Sequence, residues 1–182
     1  MKERGNEMNG KAIVGVAFAL FATVIAWADP HEMKPYVGSA EFEKMKSLAG
    51  KWTGASLMEG KDVAVNVEYR ITSGGSAVIE TIFAGTPKEM VTVYHDGDDG
   101  TLSLTHYCML QNRPVLSLLE AEGDTLQFSL SESCGLHGSK DPHMHSLALS
   151  FEGGDKIVQR WAMWSDGAEA MSTEIVLTRV KS

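Results

Sequence analysis

Cysteine is scarce in this chain: Cys108 and Cys134 are the two it has, and no Cys-x-x-Cys pair marks a zinc site. Basic residues are outnumbered, 16 Lys and Arg against 24 Asp and Glu, and they form no cluster. That balance excludes the electrostatic footprint needed to hold nucleic acid or an anionic membrane. Proline is equally sparing, and all five stand in stretches that read as leader, turn or loop. Long apolar runs are missing too. The longest, Ala12 to Ala26, has about 15 residues where a membrane span needs roughly 20.

That one run has another use. Lys2, Arg4 and Lys11 precede it, and Ala26-Trp27-Ala28 follows with small residues spaced for cleavage. Residues 1–28 therefore read as a secretory signal peptide, and Met8–Ala28 is a complete signal by itself. The expectation is an exported protein, periplasmic or secreted, with no stable membrane span after cleavage. Without Lys2, Arg4, Lys11, Glu3 and Glu7, the remainder keeps 13 basic and 22 acidic residues, still clearly acidic.

Residues 29–38 carry Pro30 and Pro35 and read as an irregular leader. Residues 39–182 form the domain. Ser39 has the character of an N-cap, and Phe42, Met45 and Leu48-Ala49 recur at helical spacing until Gly50. From Lys51 onward the period is two. Val63, Val65, Val67, Tyr69 and Ile71 alternate with polar neighbours, as in a strand buried on one face. Ala77, Ile79, Thr81 and Phe83 follow on the next strand, and Val91, Val93 and His95 on the one after. Turns rich in Gly, Asp and Asn separate further strands to the end of the chain. Asp96–Gly100 is one of them, too short for a calcium loop. Short links favour an up-and-down meander, and closure would remove the raw edges of an open sheet. The expected fold is all-β: an antiparallel up-and-down barrel of about ten strands with a short N-terminal helix closing one end, a β-sandwich being the alternative.

Leu48-Ala-Gly50-Lys-Trp52 and the closing Leu177-Thr-Arg179 resemble the calycins, the superfamily of lipocalins and fatty-acid-binding proteins. The resemblance implies that Trp52 plugs the closed end while Arg179 stacks on its ring. Gly50, Trp52 and Arg179 are thus structural residues. Tyr94-His95, Leu104-Thr-His106-Tyr-Cys108 and His143-Met-His145 are also similar to a family of uncharacterised secreted lipocalin-like proteins.

Two stretches place polar residues at the end of an apolar strand face. Leu102 and Leu104 lead to His106 and Cys108, and His143 and His145 lead to Leu147, Leu149 and Phe151. In a meander, the end of strand five and the start of strand eight share a mouth, opposite Trp52. The candidate ligand site is therefore His106, Cys108, His143 and His145 over an apolar lining that includes Leu104, Phe128, Leu147 and Trp161. Val65, Val67 and Leu149 extend that lining. One alternative is a zinc or copper site on His106, His143 and His145, since two histidines at i, i+2 on one face can chelate. Another is a filled barrel acting as an interaction module. Cys108 and Cys134 can pair as a disulfide, or Cys108 can serve as a thiolate ligand. Cys108 beside His106, with Asp141 or Glu132 in the loop, provides the parts of a thiol site, yet no nucleophile elbow or metalloprotease helix accompanies them. The expected partner is a small apolar or amphipathic molecule. No motif specifies a cofactor, a catalytic residue or an oligomeric state.

Overall fold

The structure, a computed structural model, describes residues 34–58, 61–132, 135, 136, 138, 140 and 141–181. The expected signal peptide and the first half of the leader lie outside these residues, as do Cys134 and His137.

Helix α1 spans Ala40–Lys46. The Ser39 hydroxyl accepts the Phe42 N–H at 3.1 Å, satisfying one of the donors that a helix start leaves open. Glu41 and Glu43 occupy the first turn and Lys44 and Lys46 the last, the arrangement that suits the helix dipole. Phe42 and Met45, three apart, are both fully buried. Ser39 also donates through N and Oγ to Asp96, each at 2.8 Å, which moors the helix to the sheet.

Ten strands follow: β1 (Gly50–Met58), β2 (Lys61–Thr72), β3 (Ala77–Ile82), β4 (Met90–Asp96), β5 (Leu102–Tyr107), β6 (Val115–Glu122), β7 (Thr125–Glu132), β8 (His143–Phe151), β9 (Lys156–Ser165) and β10 (Ala168–Arg179). Each pairs antiparallel with the next, and β10 returns to β1, so the sheet is a closed barrel. Along the closing seam Trp52 faces Arg179 and Ser56 faces Ile175. The seam demands a glycine: a Cβ on Gly54 would stand 1.8 Å from the Val176 carbonyl oxygen.

The end beside α1 is plugged. Trp52 is 1 % exposed and donates its indole N–H to Leu48 O at 2.8 Å. The Arg179 guanidinium lies 4.3 Å over the Trp52 ring and donates to Ala49 O and Ser47 O, each at 2.8 Å. Ring stacking and backbone capping by one side chain tie the first strand to the last. Above this plug Val65, Val67, Leu104, Phe128, Leu147 and Leu149 are buried and fill the barrel. Full burial of each such side chain contributes roughly 1.5–3 kcal/mol before entropy is counted.

Two strands turn the other way from the aliphatic pattern. On β3 the inward residues are Val78, Glu80 and Ile82, not Ala77, Ile79 and Thr81. On β4 the buried pair is Thr92 and Tyr94, with Val91 and Val93 only partly covered. The strand also stops at Ile82: Phe83 adopts φ 56°, so Ile82 and Phe83 both turn to the interior. A left-handed aromatic residue costs on the order of 1 kcal/mol. Its burial and the bonds from Thr86 N and Oγ1 to its carbonyl oxygen hold it there.

Candidate functional site

At the end of the barrel opposite Trp52 the side chains do not fill the interior. A cavity of about 230 Å³ remains. Its wall draws on the end of β3 (Ile82, Phe83), the start of β4 (Met90, Thr92), and the end of β5 with the following turn (His106, Cys108, Met109, Leu110). Met144 of β8, Trp161 and Met163 of β9, and Met171, Thr173 and Ile175 of β10 complete it, with Glu80 at depth. Met90, Met109, Met144, Met163 and Met171 give the wall an unbranched, polarizable surface that adapts to the shape of what it meets. Met109, Leu110 and Met171 remain exposed, an apolar rim.

Beneath the cavity lies a buried polar layer. Tyr94 donates to Glu80 Oε2 at 2.6 Å, and Gln159 Nε2 donates to Glu80 Oε1 at 2.9 Å and to Tyr69 Oη at 2.6 Å. Trp161 Nε1 donates to Gln159 Oε1 at 3.2 Å. Burial pushes the Glu80 carboxyl above its ordinary range, while hydrogen bonds from Tyr94, Gln159 and Tyr69 pull it back. Burial, with Glu80 beside them, drives the Tyr69 and Tyr94 hydroxyls well up. The layer joins β2, β3, β4 and β9 and separates the cavity from the packed half. Sequence reasoning missed it, because Glu80 and Gln159 occupy inward positions where the alternation gives no warning of a polar residue.

His106 sits above this layer, 4 % exposed, its ring centroid 4.8 Å from that of Trp161. Burial lowers its pKa from 6.5 to about 4, so the imidazole is neutral at physiological pH. Nδ1 lies 2.9 Å from Thr92 Oγ1, and that hydroxyl is itself buried with no other partner among the described residues. If Nδ1 carried the proton, the hydroxyl hydrogen would have no acceptor among the described residues. The hydroxyl therefore donates into Nδ1, and hydrogen-bond satisfaction assigns the ring proton to Nε2. Nε2–H, unpaired among the described residues, is a donor on the cavity wall.

Of the anticipated site residues, the cavity wall includes His106, Cys108 and Trp161. Leu104, Phe128 and Leu147 belong to the packed core, not to this wall. His143 and His145 also lie off the wall. A register shift between Met144 and Ser146 interrupts the alternation of β8, so Met144 lines the cavity beside its partner Met163. His143 pairs with Trp164 instead, and His145 stacks on that indole at 3.8 Å. His143 Nδ1 is 2.7 Å from Asp141 O, and its Nε2 is 3.1 Å from His145 Nδ1. Burial, then the neighbouring His143, lowers the His145 pKa. His106 is thus separated from the other two histidines. Among the described residues no group of three or more His, Cys, Asp or Glu side chains is arranged to hold a metal ion. Cys108 is a free thiol whose pKa is raised by burial, which disfavours the thiolate needed of a ligand or nucleophile. Cys134, the residue expected to bond with it, is outside the described residues.

A ten-stranded closed antiparallel barrel, lipocalin-like in architecture, with a cavity at one end is the class that fold and site define. No family model and no curated protein matches the chain. Solved structures share the fold, two of them as follows. Rv2717c from M. tuberculosis superposes with a TM-score of 0.56 at 15% identity, covering 80% of this chain and 100% of its own. A protein of unknown function from the DUF3598 family, from Nostoc punctiforme PCC 73102, gives 0.52 at 12% identity. That match covers 81% of this chain and 51% of the other, so this chain spans about half of its length. At these identities the likeness is one of fold alone and does not establish calycin membership.

Proposed function

We propose that this protein is an exported carrier that holds a small apolar or amphipathic molecule in its barrel cavity. The cavity is the observation that carries the reading: about 230 Å³ with a wall mostly of methionine, aliphatic and aromatic side chains, in a barrel otherwise tightly filled. Hydrocarbon placed there leaves water at a gain of about 25 cal/mol per Å². His106, Thr173 and Cys108 provide the few polar groups that orient a bound molecule. The basic residues, apolar run and Ala-x-Ala site of residues 1–28 support export.

Native mass spectrometry of the full-length gene product, recovered from the periplasm of a bacterial host, tests both parts. The expected species begins at Asp29 and carries an added mass that disappears on denaturation. Met144→Trp, which fills the cavity, should lose that mass while keeping the fold. A bare protein, or a Met144→Trp variant that retains the added mass, refutes the carrier. A retained N-terminus refutes export.

A further inference from the structure

We infer that the cavity selects an uncharged ligand with one hydrogen-bond acceptor, such as a ketone, aldehyde or ester oxygen, which accepts a hydrogen bond from His106 Nε2–H. The inference deepens the carrier reading and rests on it. Its basis is the charge and hydrogen-bond state of the wall.

Among the described residues no Lys or Arg lines the cavity, and the one carboxyl on its wall is Glu80. A carboxylate ligand would enter beside that acid and meet an imidazole that burial keeps neutral. An ammonium ligand would need Glu80 as its counter-ion. Both Glu80 oxygens are engaged already, Oε2 by Tyr94 and Oε1 by Gln159. A cation there would lose its own water and have to share those oxygens with the two existing donors, a poor exchange. A pure hydrocarbon fills the space but shields Nε2–H from water without replacing the hydrogen bond, which is costly. An acceptor oxygen on an apolar body answers each of these conditions. Scaled from a cavity of about 150 Å³ that takes benzene, the space suits about nine non-hydrogen atoms, with longer chains emerging through the apolar rim.

The test uses four probes of about nine non-hydrogen atoms each, sized by that comparison: acetophenone, propylbenzene, benzoate and phenethylammonium. Each is titrated into the full-length protein, purified without detergent, and followed by calorimetry and by the Trp161 indole N–H resonance. Acetophenone should bind tightest, by about three- to tenfold over propylbenzene, the worth of one neutral hydrogen bond. His106→Leu should abolish the difference between these two probes, and His106→Gln, which restores an N–H donor, should recover part of it. Benzoate or phenethylammonium binding as tightly as acetophenone overturns the inference and leaves the carrier standing. A preference for acetophenone that survives in His106→Leu overturns it as well. If none of the four, propylbenzene included, moves the Trp161 signal, the carrier reading fails together with it.

Discussion

Acid should destabilise this barrel through His106, and one substitution isolates the effect. The imidazole has a pKa of about 4 in the folded protein against 6.5 for a free side chain. When the chain unfolds at low pH the ring takes up a proton that the folded state refuses. Protons therefore favour the unfolded state. Stability is complete above the unfolded value and declines as pH falls through 6.5 towards 4. At about pH 5 the unfolded ring is almost wholly protonated and the folded one almost wholly neutral, a linkage cost of roughly 2 kcal/mol. His106→Gln keeps a polar group beside Thr92 but cannot titrate. Urea unfolding of both proteins, followed by tryptophan fluorescence from about pH 8 to about pH 5, measures the difference in ΔG at each pH. The wild type should lose roughly 2 kcal/mol more than the variant across that range. His145, also lowered, and Glu80, raised and so opposite in sign, contribute to both proteins and cancel. Parallel curves would refute the reasoning, because they would mean that His106 is protonated in place inside a hydrated cavity.

Two further substitutions examine the frame around the site. Gly54→Ala drives a methyl group into the Val176 carbonyl oxygen and should cost at least about 3 kcal/mol, read as a fall in thermal midpoint or failure to refold. Tyr94→Phe removes the donor to Glu80 Oε2 in a buried layer and should cost about 1–3 kcal/mol by urea unfolding. Because that bond favours the Glu80 carboxylate, the loss should shrink as pH falls and the acid protonates.

The frame was legible in the sequence, and the site only partly. Ser39, Phe42 and Met45 announce the helix, the Gly and Asp turns divide the ten strands, and Trp52 meets Arg179 across the closure as the resemblance to calycins implies. Parity failed where both faces of a strand carry aliphatics. Ile79, Val91 and Val93 outweigh Glu80 and Thr92 in any count of hydrophobicity, yet the polar residues point inward. A buried acid is stable there because Tyr94 and Gln159 reach it from other strands, and no local pattern contains that information. The histidines of β8 illustrate a second limit. The two-residue period that aligns His143 and His145 with Leu147 holds only while the register is unbroken, and the bulge beside Met144 hands the cavity wall to a methionine.

The seam between β1 and β10 has a kinetic consequence. Ser56 donates to Glu174 O across 118 positions, and Arg179 reaches Ala49 O across 130. No partial chain can make these contacts, so the barrel cannot close until its last strand has been synthesised. Before that moment β1 and β9 present bare edges, and the loop that must be ordered is nearly the whole domain. Folding should accordingly be slow and late, with its barrier set by one long-range closure. A chain that cannot finish folding early spends longer after synthesis with two open strand edges, and those edges can pair with other chains.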